Sequence, residues 1–467
     1  MRRLGRRLPG DTVVRRSRQR TETVRVSTRR RRSVTPGPWM VPAAFLLAIG
    51  WGGLLLSLPV TSASGEWTNG WDALFTATSA ICVTGLVRLD TAEHFSFFGE
   101  IVIAALIQIG GLGITMYAGM LMLLIGGQFG LRGREFFGIE LMSVTERDVR
   151  RLLRRVAIFA LVVEAGTFAL LLPWSLMEWD PGTAVWRAFF HSLSAFNNAG
   201  FDLMGGGRGF TGQIDAAYPL VVMGVSAFLG SISFITVFDM RHRPKSWTLD
   251  TRLVAIGMFA LLGIGMLALA LSEVQEGRVF DGRGPLEVLA NAFFLSVNRT
   301  TGMATVDMGA LQDANVVLML ALMFIGGSST STAGGIKLGA FMVSIVVVVS
   351  ALRGHHRTQV FNREIPQATV LRAMAITLLG FVTLAAGTWL LELTDDFAFL
   401  PMLFEVMSAL ANVGWSMGIT GELSQGGAIV LIALMFLGRL GSLVVALSIP
   451  DQPQERYRYS YGRVRIG

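Results

Sequence analysis

The chain has 467 residues, of which 52% are hydrophobic and only 15% are charged, and its mean hydropathy is +0.55. A soluble protein of this size carries about 25% charged residues, so lipid is expected to surround most of this chain. The single cysteine, Cys82, excludes an internal disulfide framework and a metal site built from several cysteines.

The net charge of +8 is distributed unevenly. Residues 1–38 contain 13 arginines against Asp11 and Glu22, a net +11, whereas the rest of the chain has 27 basic and 30 acidic residues, a net −3. We interpret residues 1–38 as a disordered basic arm in the cytoplasm, close to anionic lipid. A secretory signal would place a short apolar run directly behind a brief basic region. The basic region here is 38 residues long, so a secretory signal is not the preferred interpretation. An organellar transit peptide stays open, because the arm is rich in Arg and poor in acids.

Eight apolar segments are long enough to cross a bilayer, which needs about 20 helical residues. They lie at residues 39–58, 98–126, 152–176, 216–239, 251–273, 313–352, 366–393 and 427–449. The arm, the C-terminus and every second loop hold 32 Lys and Arg residues, whereas the other loops hold 6. The positive-inside rule therefore predicts that both termini are cytoplasmic. Two basic residues, Lys337 and Arg439, are left inside predicted spans.

Four loops on the outer side share one pattern, in which about a dozen helix-forming residues lead into a short polar segment that reaches a glycine. They read WDALFTATSAICVTGLVRLD (71–90), AVWRAFFHSLSAFNNAGFDLM (184–204), PLEVLANAFFLSVNRTTGMATVD (285–307) and AFLPMLFEVMSALANVGWSMGIT (398–420). The helical runs are too short to cross a bilayer, so we expect them to be re-entrant. Irregular backbone at membrane depth is tolerated where it lines a water-filled cavity. Loop glycines between eight ordinary helices are the weaker interpretation, because four segments share the register.

The predicted fold is an all-α polytopic membrane protein, with four covalently linked helix–pore loop–helix repeats around a pseudo-four-fold pore. The repeats are expected at residues 39–130, 131–245, 246–355 and 356–450, followed by a cytoplasmic tail at 451–467. The short helices would direct their negative C-terminal ends at the axis. A ring of carbonyl oxygens there can replace the hydration shell of a cation, and glycine permits the backbone conformation that such a ring needs.

The sixth apolar segment, 313–352, is twice as long as one span requires, and its middle reads GGSSTSTAGG (326–335). Glycine and small hydroxyl residues disfavour a continuous helix, so we predict two half-helices joined by an intramembrane loop. A flexible cytoplasmic linker is the alternative, but charges are absent until Lys337. The predicted gate consists of Gly326, Gly327, Ser328, Ser329, Thr330, Ser331, Thr332, Ala333, Gly334, Gly335, Lys337 and Arg439.

Arg439 lies near the middle of the last span, where an unpaired charge is costly and therefore marks function. Our hypothesis is that Arg439 hydrogen-bonds the 326–335 loop and holds it across the pore. Lys337 would add a charge on the cytoplasmic side that ions must pass.

The four loops resemble the pore loops of the Trk/Ktr/HKT superfamily of potassium transporters, most closely in FTATSAICVTGLV, FHSLSAFNNAGFD and FEVMSALANVGWSMGIT. Eight spans and the C-terminal residues 465–467 are similar to the Ktr-type membrane subunit. The resemblance implies potassium uptake through a filter of main-chain oxygens, gated by the 326–335 loop. The filter residues would be Val83, Thr84, Gly85, Asn198, Ala199, Gly200, Thr300, Thr301, Gly302, Asn412, Val413 and Gly414.

The resemblance also implies that the protein is a homodimer in the plasma membrane with a cytoplasmic ring of nucleotide-binding regulatory subunits. Potassium is the expected ion, and sodium is a further candidate, either transported or stimulating transport. Met303 and Trp415 depart from the family pattern beside the filter, which leaves ion preference less determined than fold. The chain has no Walker sequence and no dinucleotide fingerprint, and we expect no nucleic-acid partner.

Two other classes of function stay open. A secondary transporter with alternating access also uses broken helices, although such transporters more often consist of inverted halves. An intramembrane enzyme would need a nucleophile, a base and an orienting acid, and the sequence shows no such set.

Overall fold

The computed structural model describes residues 40–124, 146–206, 209–329, 331–355 and 357–448. The predicted basic arm and C-terminal tail lie outside these residues, as do Thr330 and the predicted boundary between the first two repeats.

The described chain consists of helices and one small hairpin. The first predicted repeat contains α1 (Met40–Leu56), α2 (Gly70–Cys82), α3 (Thr91–His94) and α4 (Phe97–Leu124). The second contains α5 (Glu146–Glu178), α6 (Pro181–Asn197), α7 (Ala217–Ser231) and α8 (Phe234–Asp239). The third contains α9 (Leu249–Ser272), α10 (Pro285–Asn298), α11 (Asp313–Phe324) and α12 (Leu338–Leu352). The fourth contains the antiparallel strands β1 (Gln359–Val360) and β2 (Arg363–Glu364), with Gln359 opposite Glu364, and then α13 (Gln367–Thr394), α14 (Phe399–Ala411) and α15 (Gln425–Ser448).

Several of these helices have the length and apolar character of membrane spans. In the described ranges, three helical stretches satisfy both criteria by themselves: Leu153–Glu178, Leu249–Ser272 and Gln367–Thr394. Shorter apolar helices lie in every predicted repeat. Large apolar side chains on the outer helices are more than half exposed, namely those of Trp51, Leu161, Leu267 and Leu378. A surface of this kind is suited to lipid.

Side-chain acceptors fix where three of the four short helices, α2, α6 and α10, begin. Asn69 accepts a hydrogen bond from Trp71 N, and Asp180 accepts one from Thr183 N. The Glu287 carboxylate accepts the Gly284 N–H at 3.0 Å. Such acceptors satisfy N–H groups that a helix start leaves unpaired.

The four predicted repeats close into a ring through their helices. The inner helix of each repeat packs on the short helix of the next: α4 on α6, α7 on α10, α11 on α14, and α15 back on α2. Buried apolar clusters extend across these junctions, and one of them joins Phe75 of α2 to Leu434 of α15. The first and fourth repeats are therefore neighbours in space although they lie at opposite ends of the chain.

Two of the inner helices are interrupted. The third breaks between α11 and α12, as the sequence predicts for 313–352. The prediction of one continuous helix over 216–239 was wrong, because α7 ends at Ser231 and α8 begins at Phe234. Ile232 adopts an extended backbone, and the Ser233 hydroxyl caps α8 by accepting from Ile235 N. This break leaves the carbonyl groups of Gly230 and Ser231 without partners inside α7.

Candidate functional site

The ends of the four short helices place the predicted filter residues. Three of the helices end at a residue in the left-handed conformation, namely Val83 (φ 56°), Asn198 (φ 57°) and Asn412 (φ 51°). Each makes the same two main-chain hydrogen bonds back to the helix, a cap that satisfies terminal carbonyl groups. The third helix, α10, differs, because Arg299 follows it with right-handed backbone (φ −53°).

The four predicted filter glycines meet in a closed ring. All four have positive φ, a conformation that side chains disfavour. A Cβ on any of them would overlap the carbonyl oxygen that precedes the glycine of the next repeat. Following the ring, these oxygens belong to Ala199, Thr301, Val413 and Thr84. A side chain at any of these positions would therefore separate the loops.

Side chains of the predicted filter link neighbouring repeats. The Asn198 Oδ1 atom accepts hydrogen bonds from the hydroxyls of Thr300 and Thr301, at 3.1 and 2.7 Å. The Asn412 Nδ2 atom donates to Thr84 Oγ1 at 3.0 Å. These side chains tie the second loop to the third and the fourth loop to the first.

A serine column behind the filter escaped the sequence interpretation. A serine stands six residues before each filter glycine: Ser79, Ser194, Ser296 and Ser408. In the first and fourth repeats its hydroxyl accepts the N–H of the filter glycine, at 3.0 and 2.9 Å. In the second and third repeats the hydroxyl donates to main-chain carbonyls instead. The shared spacing was visible in the sequence once the loops were aligned on their glycines.

The two departures from the family pattern contact each other. The Trp415 indole donates a hydrogen bond to the Met303 carbonyl oxygen at 3.1 Å. Both residues are 1% exposed. The Trp415 side chain of the fourth loop thus packs directly against the third loop.

A cavity of about 510 Å³ lies against the filter glycines. Asp90, Asp202 and Asp307 line it together with Arg88, which is ion-paired with Asp72 at 2.7 Å. Burial raises the pKa of the Asp202 carboxyl to about 6, and the nearby Asp90 carboxylate acts in the same direction. The acidic lining favours cations over anions in this cavity.

The predicted gate loop is closed at its base and almost completely buried. Gly326 N donates to Ile336 O at 2.9 Å, and Leu338 N donates to Gly327 O at 2.9 Å. Of the described residues between Gly326 and Gly335, only Ser329 is exposed. The Lys337 ammonium donates to the Ala333 carbonyl at 2.6 Å and so folds back onto the loop.

The loop docks against the unpredicted break in the second inner helix. The Ser231 carbonyl accepts from Ser328 N at 3.0 Å, and the Gly230 carbonyl accepts from Thr332 N at 3.1 Å. The Thr332 hydroxyl also donates to Gly230 O and accepts from Asn198 Nδ2, both at 2.8 Å. Carbonyls released by one broken helix are therefore satisfied by the loop of the other.

Arg439 is 3% exposed and spans two elements. Its Nη1 atom donates to the Thr332 carbonyl within the loop, and its Nη2 atom donates to the Gly110 carbonyl of α4 at 2.8 Å. The contact with the loop that our hypothesis requires is thus present. The contact with α4 was not anticipated.

Arg299 was assigned wrongly from the sequence. The charge count placed it among the basic residues of an outer loop, but the structure places it at the end of α10 with 3% exposure. Its Nη1 atom donates to the carbonyls of Leu322 and Ile325. Arg299 is therefore a third basic residue, in addition to Lys337 and Arg439, that lies within the buried helical region.

The sequence matches a family model described as TrkH, cation transport protein, over residues 52–459. The chain belongs to this family. It is 34% identical over 435 residues to the Ktr system potassium uptake protein B of Bacillus subtilis (strain 168), covering 92% of this chain and 96% of that relative. It is 35% identical over 445 residues to the potassium/sodium uptake protein NtpJ of Enterococcus hirae, with the same coverage.

The fold is similar to the crystal structure of the potassium transporter TrkH from Vibrio parahaemolyticus. The TM-score is 0.69 at 19% sequence identity, and the match covers 88% of this chain and 83% of that chain. The predicted all-α polytopic membrane fold and the resemblance to the Trk/Ktr/HKT superfamily are therefore confirmed. The relatives are ion transporters by name, which agrees with a function in cation transport.

Proposed function

We propose that this protein takes up potassium across the plasma membrane through the ring of four filter loops. The observation that carries the proposal is the closed order of contacts in which each filter glycine meets the carbonyl of the next repeat. A ring of main-chain carbonyls can replace the hydration shell of a monovalent cation. Four helices ending at the ring add the negative ends of their dipoles.

Potassium is the proposed ion because two relatives are named for potassium uptake and for potassium/sodium uptake. Sodium is retained as a second candidate, either transported or stimulating transport. The acidic entrance lined by Asp90, Asp202 and Asp307 supports a cation in either case.

The 326–335 loop is the proposed gate. It joins the two halves of the third inner helix and docks against the break in the second. It also contacts the filter residue Asn198 through Thr332 and is held by Arg439 from the last helix. The middle of the loop would be freed once the contacts of Thr332 with Arg439, Asn198 and Gly230 and that of Ser328 with Ser231 are released, while the base of the loop stays closed by main-chain bonds. The loop is then a movable obstruction on a fixed base.

Assembly and orientation remain proposals that rest on the family resemblance and on the charge distribution. We place both termini in the cytoplasm, according to the positive-inside rule. A homodimer and a cytoplasmic nucleotide-binding ring complete the proposed complex, and the arginine-rich cytoplasmic loops offer it a docking surface.

A cation-coupled secondary transporter is the second candidate. Two interrupted inner helices favour it, since discontinuous helices are common in such transporters. Alternating access would require the docked loop and the filter ring to open in turn, whereas a channel-like path requires only the loop to move.

The experiment that tests the proposal measures ion flux in liposomes containing the purified full-length protein. We expect passive potassium flux that exceeds sodium flux. Deletion of residues 328–333 or the substitution Arg439→Ala should raise it. Arg353→Ala, which changes an exposed arginine at the end of α12, is the matched control and should leave flux unchanged.

The possible outcomes separate the candidates. Flux strictly coupled to sodium or protons would favour the symporter, and an absence of potassium flux would reject both candidates. Wild-type flux in both the shortened loop and Arg439→Ala would reject the gate but leave the filter proposal standing.

A further inference from the structure

Arg299 is a buried cation whose hydrogen bonds to carbonyl groups both go to the end of α11. The structure shows its guanidinium donating to the carbonyls of Leu322 and Ile325, with Met258 Sδ at 3.9 Å from Nη2. Leu322 lies in the last turn of α11, and Ile325 follows directly after that helix and precedes Gly326. The side chain therefore reaches from the third filter loop to the upstream end of the gate loop.

The break in the third inner helix explains why donors are needed there. A helix leaves its last four carbonyls without internal partners, and in the membrane interior such groups need partners within the protein. A guanidinium satisfies two carbonyls with one side chain, and its charge is favoured by the negative end of the α11 dipole. Arg299 thus supplies what the broken helix lacks at its end.

The other three repeats lack this device. Three residues before the filter glycine they carry Cys82, Asn197 and Ala411, where the third repeat carries Arg299. The third repeat is also the one with a gate loop in its inner helix and the one whose short helix ends without a left-handed cap. The position three residues before the filter glycine is therefore an arginine in the repeat whose inner helix is interrupted by the 326–335 loop.

We propose that Arg299 is a positioning residue that fixes the upstream hinge of the gate loop to the third filter loop. Arg439 holds the middle of the loop at Thr332, whereas Arg299 holds the point from which the loop starts. Because Arg299 directly precedes the filter residues Thr300 and Thr301, movement of the gate and movement of this part of the filter are coupled. The inference rests on the proposed function for its consequence in transport.

A double-mutant cycle tests this coupling. Potassium flux into liposomes is compared among the wild type, Arg299→Met, the 328–333 deletion, and the two changes combined. Arg299→Met should raise flux about fivefold or more when the loop is intact. It should change flux by less than about twofold once the loop is shortened, because residues that act through a shared element are not additive. Arg299→Lys, which retains one compact donor, should show an intermediate and equally loop-dependent effect.

A second readout does not depend on transport. Amide hydrogen exchange should increase in peptides covering residues 322–328 of Arg299→Met, while peptides of α2 stay unchanged. Arg283→Met is the control, because it removes an arginine that precedes the same short helix and pairs with Asp215 away from the gate. It should alter neither flux nor exchange at 322–328.

Two results would overturn the proposal: an equal effect of Arg299→Met on flux with and without the loop, or unchanged exchange at 322–328. If Arg299→Met does not fold, the Lys variant decides by the same two measurements. If the wild type carries no potassium flux, the proposed function fails, and the exchange result alone decides whether Arg299 fixes the hinge.

Discussion

Thr332 is a point where the proposed gate loop contacts a residue of the proposed filter, Asn198, so Thr332→Val tests whether the docked loop limits transport. The hydroxyl donates to Gly230 O and accepts from Asn198 Nδ2, both at 2.8 Å. Valine has nearly the same shape but lacks the hydroxyl. The substitution leaves the Thr332 carbonyl in place for Arg439 and removes only the side-chain link.

The expected size of the Thr332→Val effect follows from the hydrogen-bond partners that Gly230 O and Asn198 Nδ2 keep after the substitution. Gly230 O keeps the main-chain bond from residue 332 at 3.1 Å, so the main loss is at Asn198. One buried N–H of its amide would lack an acceptor, which costs about 1–3 kcal/mol. If opening releases this contact anyway, only the docked state is destabilised. The equilibrium then shifts toward the open state by about 5- to 150-fold.

The assay is potassium flux in liposomes at matched protein density, with two controls. Thr332→Ser keeps the hydroxyl and should stay within about twofold of the wild type. Thr388→Val removes the hydroxyl of another buried threonine, which bonds only the Leu384 carbonyl within α13 at 3.0 Å. It should not change flux.

The reasoning is refuted if Thr332→Val, shown to be folded by its melting temperature, conducts no more than Thr388→Val. It is refuted equally if Thr332→Ser raises flux as much as Thr332→Val does, because the hydroxyl would then be irrelevant.

Two further predictions concern the entrance and the filter. Because the pKa of Asp202 is raised to about 6, its carboxyl is charged at pH 7 and neutral at pH 5, so potassium flux should fall about twofold as external pH drops across that interval. Asp202→Asn should remove this part of the pH profile, and a profile identical to that of the wild type would contradict the assignment. Trp415→Phe leaves the buried Met303 carbonyl without its donor and should reduce unfolding free energy by about 1–3 kcal/mol. Trp389→Phe, at a residue that is 64% exposed, should not shift the thermal unfolding midpoint, and an equal shift in both variants would argue against the Trp415 bond.

The four glycine loops and the interruption of the third inner helix could be predicted from the sequence because both have local signals. Short helical runs before Gly85, Gly200, Gly302 and Gly414 are too brief to span, and they repeat in register. Ten consecutive small residues at 326–335 cannot be a good helix whatever surrounds them. Such features depend on chain length and backbone preference, which a sequence displays directly.

The break after Ser231 and the burial of Arg299 were missed for the opposite reason. Gly230, Ser231 and Ser233 around Ile232 are too few to distinguish a break from an ordinary membrane helix, and the released carbonyls are hydrogen-bonded by the distant 326–335 loop. Arg299 lies between two loop segments and was counted as a water-facing charge, because nothing near it in sequence indicates the carbonyls of α11. Partners more than twenty residues away decided both cases.

The sequence alone determines that this is a membrane protein with four similar segments, each a short helix leading to a glycine, and with one interrupted apolar segment, because hydropathy and glycine register act over short distances. Only the tertiary structure decides which side chains complete the site. Arg439 joins Thr332 to Gly110, Trp415 meets Met303, and Asn198 joins two filter loops to the gate. These contacts arise because consecutive predicted repeats pack against one another around a ring, which brings together residues that no local pattern relates.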